Sequence, residues 1–549
     1  MAIHHSSRML RHFHRLTPRG ASALLALALA GCAVGPDYHQ PDSQAPAQFN
    51  DTAHPSAAAS SVTMQSEPDP RWWRGFNDPV LDSLIDRAIA GNLTLRMAVL
   101  RIAQGRAQTQ MEGAAGLPSI SANASYNRQL LGLKGLLQSN GAYDKAKDYD
   151  GASNVLDQIT QPTGLFQVGF DASWELDLFG RVRRAEEAAQ AQTDAVIESR
   201  NDALVSLQAE VAQAYAQLRG AQAMRQVLQN ELNVARDTLD LTQSRQRSGL
   251  ASQMDVANQQ TQLAQLESRL PSTERQERQA SNALAVLLGL TPGALDAELS
   301  APAAIPAVPQ MVPVGVPSTL ARRRPDVRQA EAQLHAATAQ TGVSIAQLFP
   351  DVSLSGQFGT RATDGDYIGR WASRFWSIGP SVSLPIFQGG RLVENVKLAK
   401  AQQAEMALNY RQTVLTALQD VENALVAYRS DQVKRDSLQR AVDAGQEAFE
   451  LARDAYRGGL GSFLDVLSAE SRLDESRQAW VEANLQVTTD LVALYKALGG
   501  GWQDDAQPGE MVPPVGSIGN AGHVAPSEPI ENKGDSHDNA GLGKSELAQ

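Results

Sequence analysis

The chain has 549 residues, a formal net charge of -12, 5% aromatic residues and a single cysteine. The acidic balance excludes the basic surface that nucleic acid requires, and the lone cysteine excludes disulfides and thiolate metal sites. Such a length would allow several ordinary domains, but the scarcity of aromatics and the wealth of Ala, Gln and Leu point instead to long helices.

From the N-terminus, Arg8, Arg11, Arg15 and Arg19 precede the apolar run Ala21 to Ala30, the pattern of a secretory signal over residues 1–31. The run is too short to cross a bilayer as a helix, which takes about 20 apolar residues. It closes on Leu29-Ala30-Gly31-Cys32, which resembles a bacterial lipobox. That resemblance implies cleavage before Cys32 and diacylation of its thiol, and two acyl chains hold a membrane stably where one does not. Ala33, where an inner-membrane lipoprotein would carry Asp, implies passage to the outer membrane. Residues 32–78 then read as a lipidated linker.

The body of the chain is a tandem duplication. Arg247-Ser-Gly-Leu-Ala-Ser252 with Asp255-Val256 recurs 210 residues later as Arg457-Gly-Gly-Leu-Gly-Ser462 with Asp465-Val466. Arg96, Ala107 and Leu117-Pro118 recur at an offset of 232, as Arg328, Ala339 and Phe349-Pro350, which places a 22-residue insertion in the first copy. The insertion falls in the Gly-rich, polar stretch from Leu130 to Thr163, which reads as the loop between the two strands. The first repeat is expected over 79–290, with a β-hairpin at 117–180 and a long helical hairpin at 181–289. A connection at 291–320 leads to the second repeat at 321–502, with a β-hairpin at 350–390 and helices at 391–500. A polar tail at 503–549, rich in Gly, Pro, Asn, Asp and Ser, is expected to be disordered.

In the first β-hairpin Phe166, Val168, Phe170, Ala172, Trp174, Leu176 and Leu178 alternate with polar or small residues, a period of two. Ile120, Ala122, Ala124 and Tyr126 alternate before them, and Val352, Leu354, Phe358 and then Trp376, Ile378, Val382, Leu384 and Ile386 do so in the second copy. A membrane strand needs about 9–11 tilted residues with apolar side chains outward. Two hairpins give four strands, fewer than the about 8 of the smallest membrane barrels, so the barrel must be shared between chains. Pro380 leaves the register of the fourth strand uncertain, because proline gives no ladder donor.

Proline-free helical patterns follow, from Arg181 to about Arg247 and from Arg391 to about Arg457. At 1.5 Å per residue each would reach about 100 Å. Leu204, Leu207, Val211, Ala214 and Leu218, then Leu228, Leu232, Ala235 and Leu239, and in the second copy Val414, Ala417, Val421, Ala424 and Tyr428, follow a 3-4 spacing of the coiled-coil kind. These stripes read as packing surfaces of tube walls.

Further motifs lie on this frame: Gly35-Pro-Asp-Tyr38, Trp72-Trp73 ahead of Phe76-Asn-Asp-Pro-Val-Leu81, Trp174-Glu-Leu-Asp-Leu-Phe-Gly-Arg181, Arg322-Arg-Arg-Pro-Asp-Val327, Leu384-Pro-Ile-Phe387 with Gly389-Gly390-Arg391, and Tyr495-Lys-Ala-Leu-Gly-Gly-Gly-Trp502. In this order on a duplicated chain, they resemble the outer-membrane factor family, the TolC-like channels, and within it the OprM-like or NodT-type efflux lipoproteins. The resemblance runs from Cys32 to about Trp502. It implies an α+β membrane protein with a tandem-duplicated TolC-like fold, four membrane β-strands and long coiled-coil α-helices per chain. It further implies a homotrimer with one 12-stranded β-barrel continuing into a periplasmic α-barrel. The implied partners are a periplasmic adaptor and an inner-membrane pump of the resistance-nodulation-division (RND) class, with outer-membrane lipid around the barrel and no cofactor, metal or nucleic acid. The implied function is a passive exit duct for small toxic molecules.

Two sites are carried over by position. Gly249, Leu250, Ala251 and Ser252, and Gly459, Leu460, Gly461 and Ser462, match the adaptor-docking hairpin tips, where glycine suits the tight turn. Leu464 matches the aliphatic ring of the periplasmic aperture. Ser468 stands where many relatives carry aspartate, so Asp465 is the nearby carboxylate that could supply charge there. An enzyme is disfavoured: the body offers no phosphate loop, zinc spacing or nucleophile elbow, and one histidine, His335, read as a packing or surface residue. A trimeric coiled-coil surface protein would not require the strands, and a type I protein-secretion duct shares the fold but is less favoured by the lipobox.

Overall fold

The computed structural model describes residues 33–42, 45–50, 61–149 and 151–503. The expected signal at 1–31, the expected acyl acceptor Cys32 and the expected polar tail from residue 504 lie outside the described residues.

Ahead of the first repeat lie a short strand β1 (Val62–Thr63) and a turn of 3-10 helix at Trp72–Phe76. Helix α1 (Pro79–Gly91) starts there because the Asp78 carboxylate accepts from the backbone N–H groups of Val80 and Leu81, and Pro79 fills the first helical position, where its missing N–H costs nothing. Asn92 ends α1 and caps α2 (Leu93–Ala114) by accepting from the Leu95 N–H. Strand β2 (Ser119–Gln129) follows, then the short helices α3 (Leu133–Ser139), α4 (Ala142–Ala146) and α5 (Ala152–Ile159), then β3 (Thr163–Glu175). Helix α6 (Arg181–Arg247), 67 residues long, turns back into α7 (Gln253–Leu287) of 35.

The connection holds α8 (Asp296–Leu299), β4 (Val312–Pro313) and α9 (Pro317–Arg323). The second repeat gives α10 (Pro325–Ala346), β5 (Asp351–Ala362), β6 (Arg374–Ser383), α11 (Arg391–Arg457) and α12 (Phe463–Ala497). Helices α11 and α12 again have 67 and 35 residues. At 1.5 Å rise, the long members reach about 100 Å and the short ones about 50 Å.

Strands β2, β3, β5 and β6 form one antiparallel sheet in that order. Three details differ from the sequence reading. The alternating run continues to Leu178, but β3 ends at Glu175, and only Leu176 adds one more bond, to the Val352 carbonyl at 2.8 Å. Strand β6 stops at Ser383, before Leu384 and Ile386, because Pro385 offers no N–H to extend the ladder. The insertion contains three short helices where the Gly-rich composition suggested only loop. Pro380 pairs with Leu354 in β6, an edge strand of the sheet within one chain, which is where proline is tolerated.

The largest core lies midway along the helices. Trp72, Trp73, Phe76, Leu84 and Ile85 pack there with Leu204, Tyr215, Val421, Leu491 and Tyr495. The Trp72 ring stacks on Tyr495 at 5.0 Å. Beside it, the two motifs around Arg324 and Trp502 meet. The Arg324 guanidinium donates to the Ala497 carbonyl at 3.0 Å and to Asp326 and Asp420 at 2.7 and 3.0 Å, and the Trp502 indole donates to the Arg323 carbonyl at 2.9 Å. This core, a belt around the middle of the helices, thus joins the N-terminal segment, the start of the second repeat and the C-terminal end of α12.

Candidate functional site

The cross-strand register puts Ile120, Ala172 and Gly356 in line, likewise Tyr126 with Phe166, and Phe170 with Phe358 and Trp376. All of these therefore share one face. The opposite face carries Ser121 with Asp171 and Gln357, and Ser353 with Ser381. On the apolar face Ile120, Phe170, Trp376 and Ile378 stay mostly exposed, the last two at 69% and 70%. Among the described residues neither outer edge, β2 or β6, has a strand partner within the chain. A sheet with one apolar exposed face, one polar face and two open edges is unstable in water alone; it suits a wall with lipid on one side and a hydrated lumen on the other. Among the described residues no helix is long and apolar enough to cross a membrane.

At the seam between β3 and α6, the N-terminal strap is fixed to the wall. The Val34 N–H donates to the Phe179 carbonyl at 3.1 Å. Gly35 crosses Gly342 so closely that a methyl group there would lie 2.6 Å from the Gly342 Cα. The buried Arg184 binds Asp37 at 2.5 Å and Glu187 at 2.7 Å, and the guanidinium holds the Asp37 carboxyl below the usual range. Tyr38 stacks on His335 at 4.3 Å, and its hydroxyl donates to Glu331 at 3.2 Å. His335, whose Nε2 lies 3.1 Å from Glu187, serves as a packing platform for the strap.

At the far end, both helical hairpins turn by the same device. The Leu250 N–H reaches back to the Arg245 carbonyl and the Leu460 N–H to Ala455, each at 2.8 Å. The six-to-one bond requires a left-handed residue before it, supplied by Gly249 at φ 72° and Gly459 at φ 75°. Ser252 and Ser462 then start α7 and α12 with reciprocal capping boxes to Asp255 and Asp465. The turn leaves Leu250 and Leu460 pointing into solvent at 67% and 90% exposure. Ala251 and Gly461 are half-buried between them and the caps.

Leu464 is 68% exposed on the first turn of α12. Asp465 next to it is committed to its cap: it accepts from the Ser462 N–H at 3.0 Å and from the Ser462 hydroxyl at 2.8 Å, and these bonds hold its carboxyl below the ordinary range. Ser468 is half-buried one turn on.

A sequence profile of the family described as outer membrane efflux protein matches residues 84–290 and 316–500. The chain belongs to the outer membrane efflux protein family. Nodulation protein T of Rhizobium leguminosarum bv. viciae is 32% identical over 488 residues, 88% of this chain and 94% of that protein. The toluene efflux pump outer membrane protein TtgC of Pseudomonas putida is 31% identical over 486 residues, 88% and 95% of the two chains. A solved structure of the outer-membrane channel OprN superposes with a TM-score of 0.77 at 34% identity, covering 86% of this chain and all of that one. This efflux family member has the α+β tunnel fold of the TolC-like channels, and it functions in the outer membrane as the channel component of an efflux system, extending into the periplasm. Its relatives are channels rather than enzymes.

Motif reading missed one group of residues in this family member: Glu231, Glu470 and Asp474, which are buried between the hairpins. The signal was present, because Glu231 interrupts the apolar stripe of Leu228, Leu232 and Ala235, and Glu470 and Asp474 interrupt that of Phe463, Val466 and Leu473.

Proposed function

We propose that this chain is one third of a tunnel. In this reading three copies close a 12-stranded barrel through their β2 and β6 edges and a periplasmic helical tube through α11, and an adaptor and an RND-class pump deliver drugs or other small toxic molecules into it. The observation that carries the reading is the unpartnered surface of the single chain. Besides the open sheet edges, Leu408, Leu415, Val426, Val433 and Leu451 are exposed on α11. Their separations of 7, 11, 7 and 18 residues fall close to whole helical turns, so they form one apolar stripe. A second copy of the chain is the occupant that also satisfies the strand edges.

The tips support adaptor docking, since exposed leucines held on rigid, capped turns are suited to enter an apolar groove on a partner. Leu464, gathered around a three-fold axis, would form the aliphatic ring of the aperture. Asp465, already bonded to Ser462, is the cap beneath that ring and a weaker source of gating charge. The strap supports lipidation of Cys32: Ala33 lies against Gly180 at the barrel-to-helix seam, so acyl chains on the preceding residue would enter the adjoining leaflet.

The test is sedimentation of the detergent-purified protein, followed by single-channel conductance beside the Leu464→Ala/Asp465→Ala variant. A trimer with a small, mostly closed conductance that rises in the variant is the expected result. A verified trimer that never conducts would overturn the tunnel reading.

A further inference from the structure

Just above the second tip, three carboxyl groups from different hairpins converge in the helix interior. Glu470 and Asp474 lie 7 and 11 residues after Phe463 at the start of α12, about 10 and 16 Å up the helix. Glu231 comes from α6 in the first repeat. Glu231 and Glu470 are 1% exposed and Asp474 5%. The surroundings are apolar, with Leu228, Leu232 and Leu266 on one side and Phe463, Val466 and Leu473 on the other.

The hydrogen bonding is incomplete in a telling way. Glu231 accepts one bond, from the Gln478 amide at 2.8 Å, and its other oxygen has no partner. Neither oxygen of Glu470 has a partner, nor does Oδ2 of Asp474. Gln259 on α7, fully buried beside Glu470, donates its Nε2 to the Ala235 carbonyl at 3.2 Å, and its Oε1 accepts nothing. The Gln259 amide favours the ionised form of Glu470, and burial outweighs it.

The charged groups facing the trio are Arg269 from α7, and Arg477 and Glu475 from α12. Both arginines spend their hydrogen bonds on glutamines: Arg269 on Gln478 at 2.8 Å, and Arg477 on Gln446 of α11. They attract Glu231 and Asp474 from a distance without pairing with them. Burial outweighs that attraction and, with repulsion from Asp474 on Glu231 and Glu470 and from Glu475 on Asp474, pushes Glu231 up to about 8, Glu470 to about 7 and Asp474 to about 6.

We propose that Glu231, Glu470 and Asp474 form a proton-held joint between the first helical hairpin and α12, packed while protonated and separating as the carboxyls ionise. Placed above the second tip, this joint sets how readily α12 moves at the aperture; that consequence rests on the tunnel reading. The sign follows from linkage. The packed form binds protons more tightly than the separated one, whose carboxyls titrate near the ordinary value of about 4. Packing is therefore strongest below about pH 4. It weakens as the pH rises through about 6 and 7 to about 8, where the last of the three ionises. The switch spans neutral pH.

The test is spin-label distance measurement between α6 and α12 in the full-length protein, with labels on cysteines replacing the exposed Asn230 and Arg472. Wild-type background should show a longer-distance population that grows by at least about tenfold between pH 5.5 and 8, since one pKa unit of differential proton binding already provides a factor of ten. The Glu231→Gln/Glu470→Gln background keeps the size and donors of two of the protonated acids, so it should fold and hold the short distance through neutral pH, with only the smaller response of Asp474 left. Glu475→Gln, lacking the buried position, should respond like wild type. A pH-independent distance in wild type, or an unchanged response in the double glutamine variant, would overturn the joint. A joint that moves with pH while conductance stays constant would support it and overturn its coupling to the aperture.

Discussion

Helices α6 and α11 have the same length and the same place in their repeats, yet they live in different surroundings. Helix α6 is buried along its course, from Val182 through Leu204, Tyr215 and Leu232 to Thr242. It is flanked by α2 and α10 on its first half, by α7 on its second, and by α12. Helix α11 buries Ala399, Tyr410, Val414, Ala417, Val421, Leu425, Tyr428, Phe449 and Tyr456, and leaves Leu408, Leu415, Val426, Val433 and Leu451 in the open. Duplication made two equivalent walls, and the fold then used one as an internal pillar and left the other as an outer face. A helix that is apolar on two sides but covered on one has an unfilled partner position.

That contrast can be broken at its widest point by charging the α11 stripe. Leu408→Glu with Leu415→Glu is expected to abolish the trimer in sedimentation while leaving the helical content of the chain by circular dichroism unchanged. Survival of the trimer would place the interface on another face. On α6, Leu204→Ala removes a side chain with no solvent exposure and should destabilise the chain by about 2–5 kcal/mol, because the rigid belt cannot collapse onto the cavity. Chemical denaturation of the dissociated chain should show this, whereas Leu408→Ala in the same assay should change little.

The smallest effect sharpens the comparison between the two tips. Ser252→Ala and Ser462→Ala each remove one cap and should cost about 1 kcal/mol of local stability, read by hydrogen exchange at the first turns of α7 and α12. Equal losses are expected, since the two capping boxes are alike. A much larger loss at Ser462 would show that the second tip carries strain that the first does not.

Much of this architecture was legible in the residues. The alternation in β3 announced a long half-buried strand, and the 210-residue recurrence of the glycine and serine tip motif fixed the two hairpin turns. Strand ends were less legible, because Leu176, Leu178, Leu384 and Ile386 keep the alternation after the ladder has stopped. The insertion was misread for a related reason: its glycines, Gly132, Gly141 and Gly151, suggested loop, but each stands in the left-handed region immediately before a short helix. Among the site residues, the glycine and leucine of each tip could be located by position. The commitment of Asp465 to Ser462 emerged only from the geometry.

The sequence by itself determined the repeat, the element types and the turn chemistry, because each of these is set by periodicity and by backbone preferences over a few neighbouring residues. Tertiary structure alone decided which long helix became the pillar, which carboxyls were carried into the dry interior, and which surfaces stayed without a partner. Those outcomes depend on contacts between segments more than 200 residues apart, such as Gln478 with Glu231, where local pattern carries no information about dielectric surroundings or about what fills the space alongside.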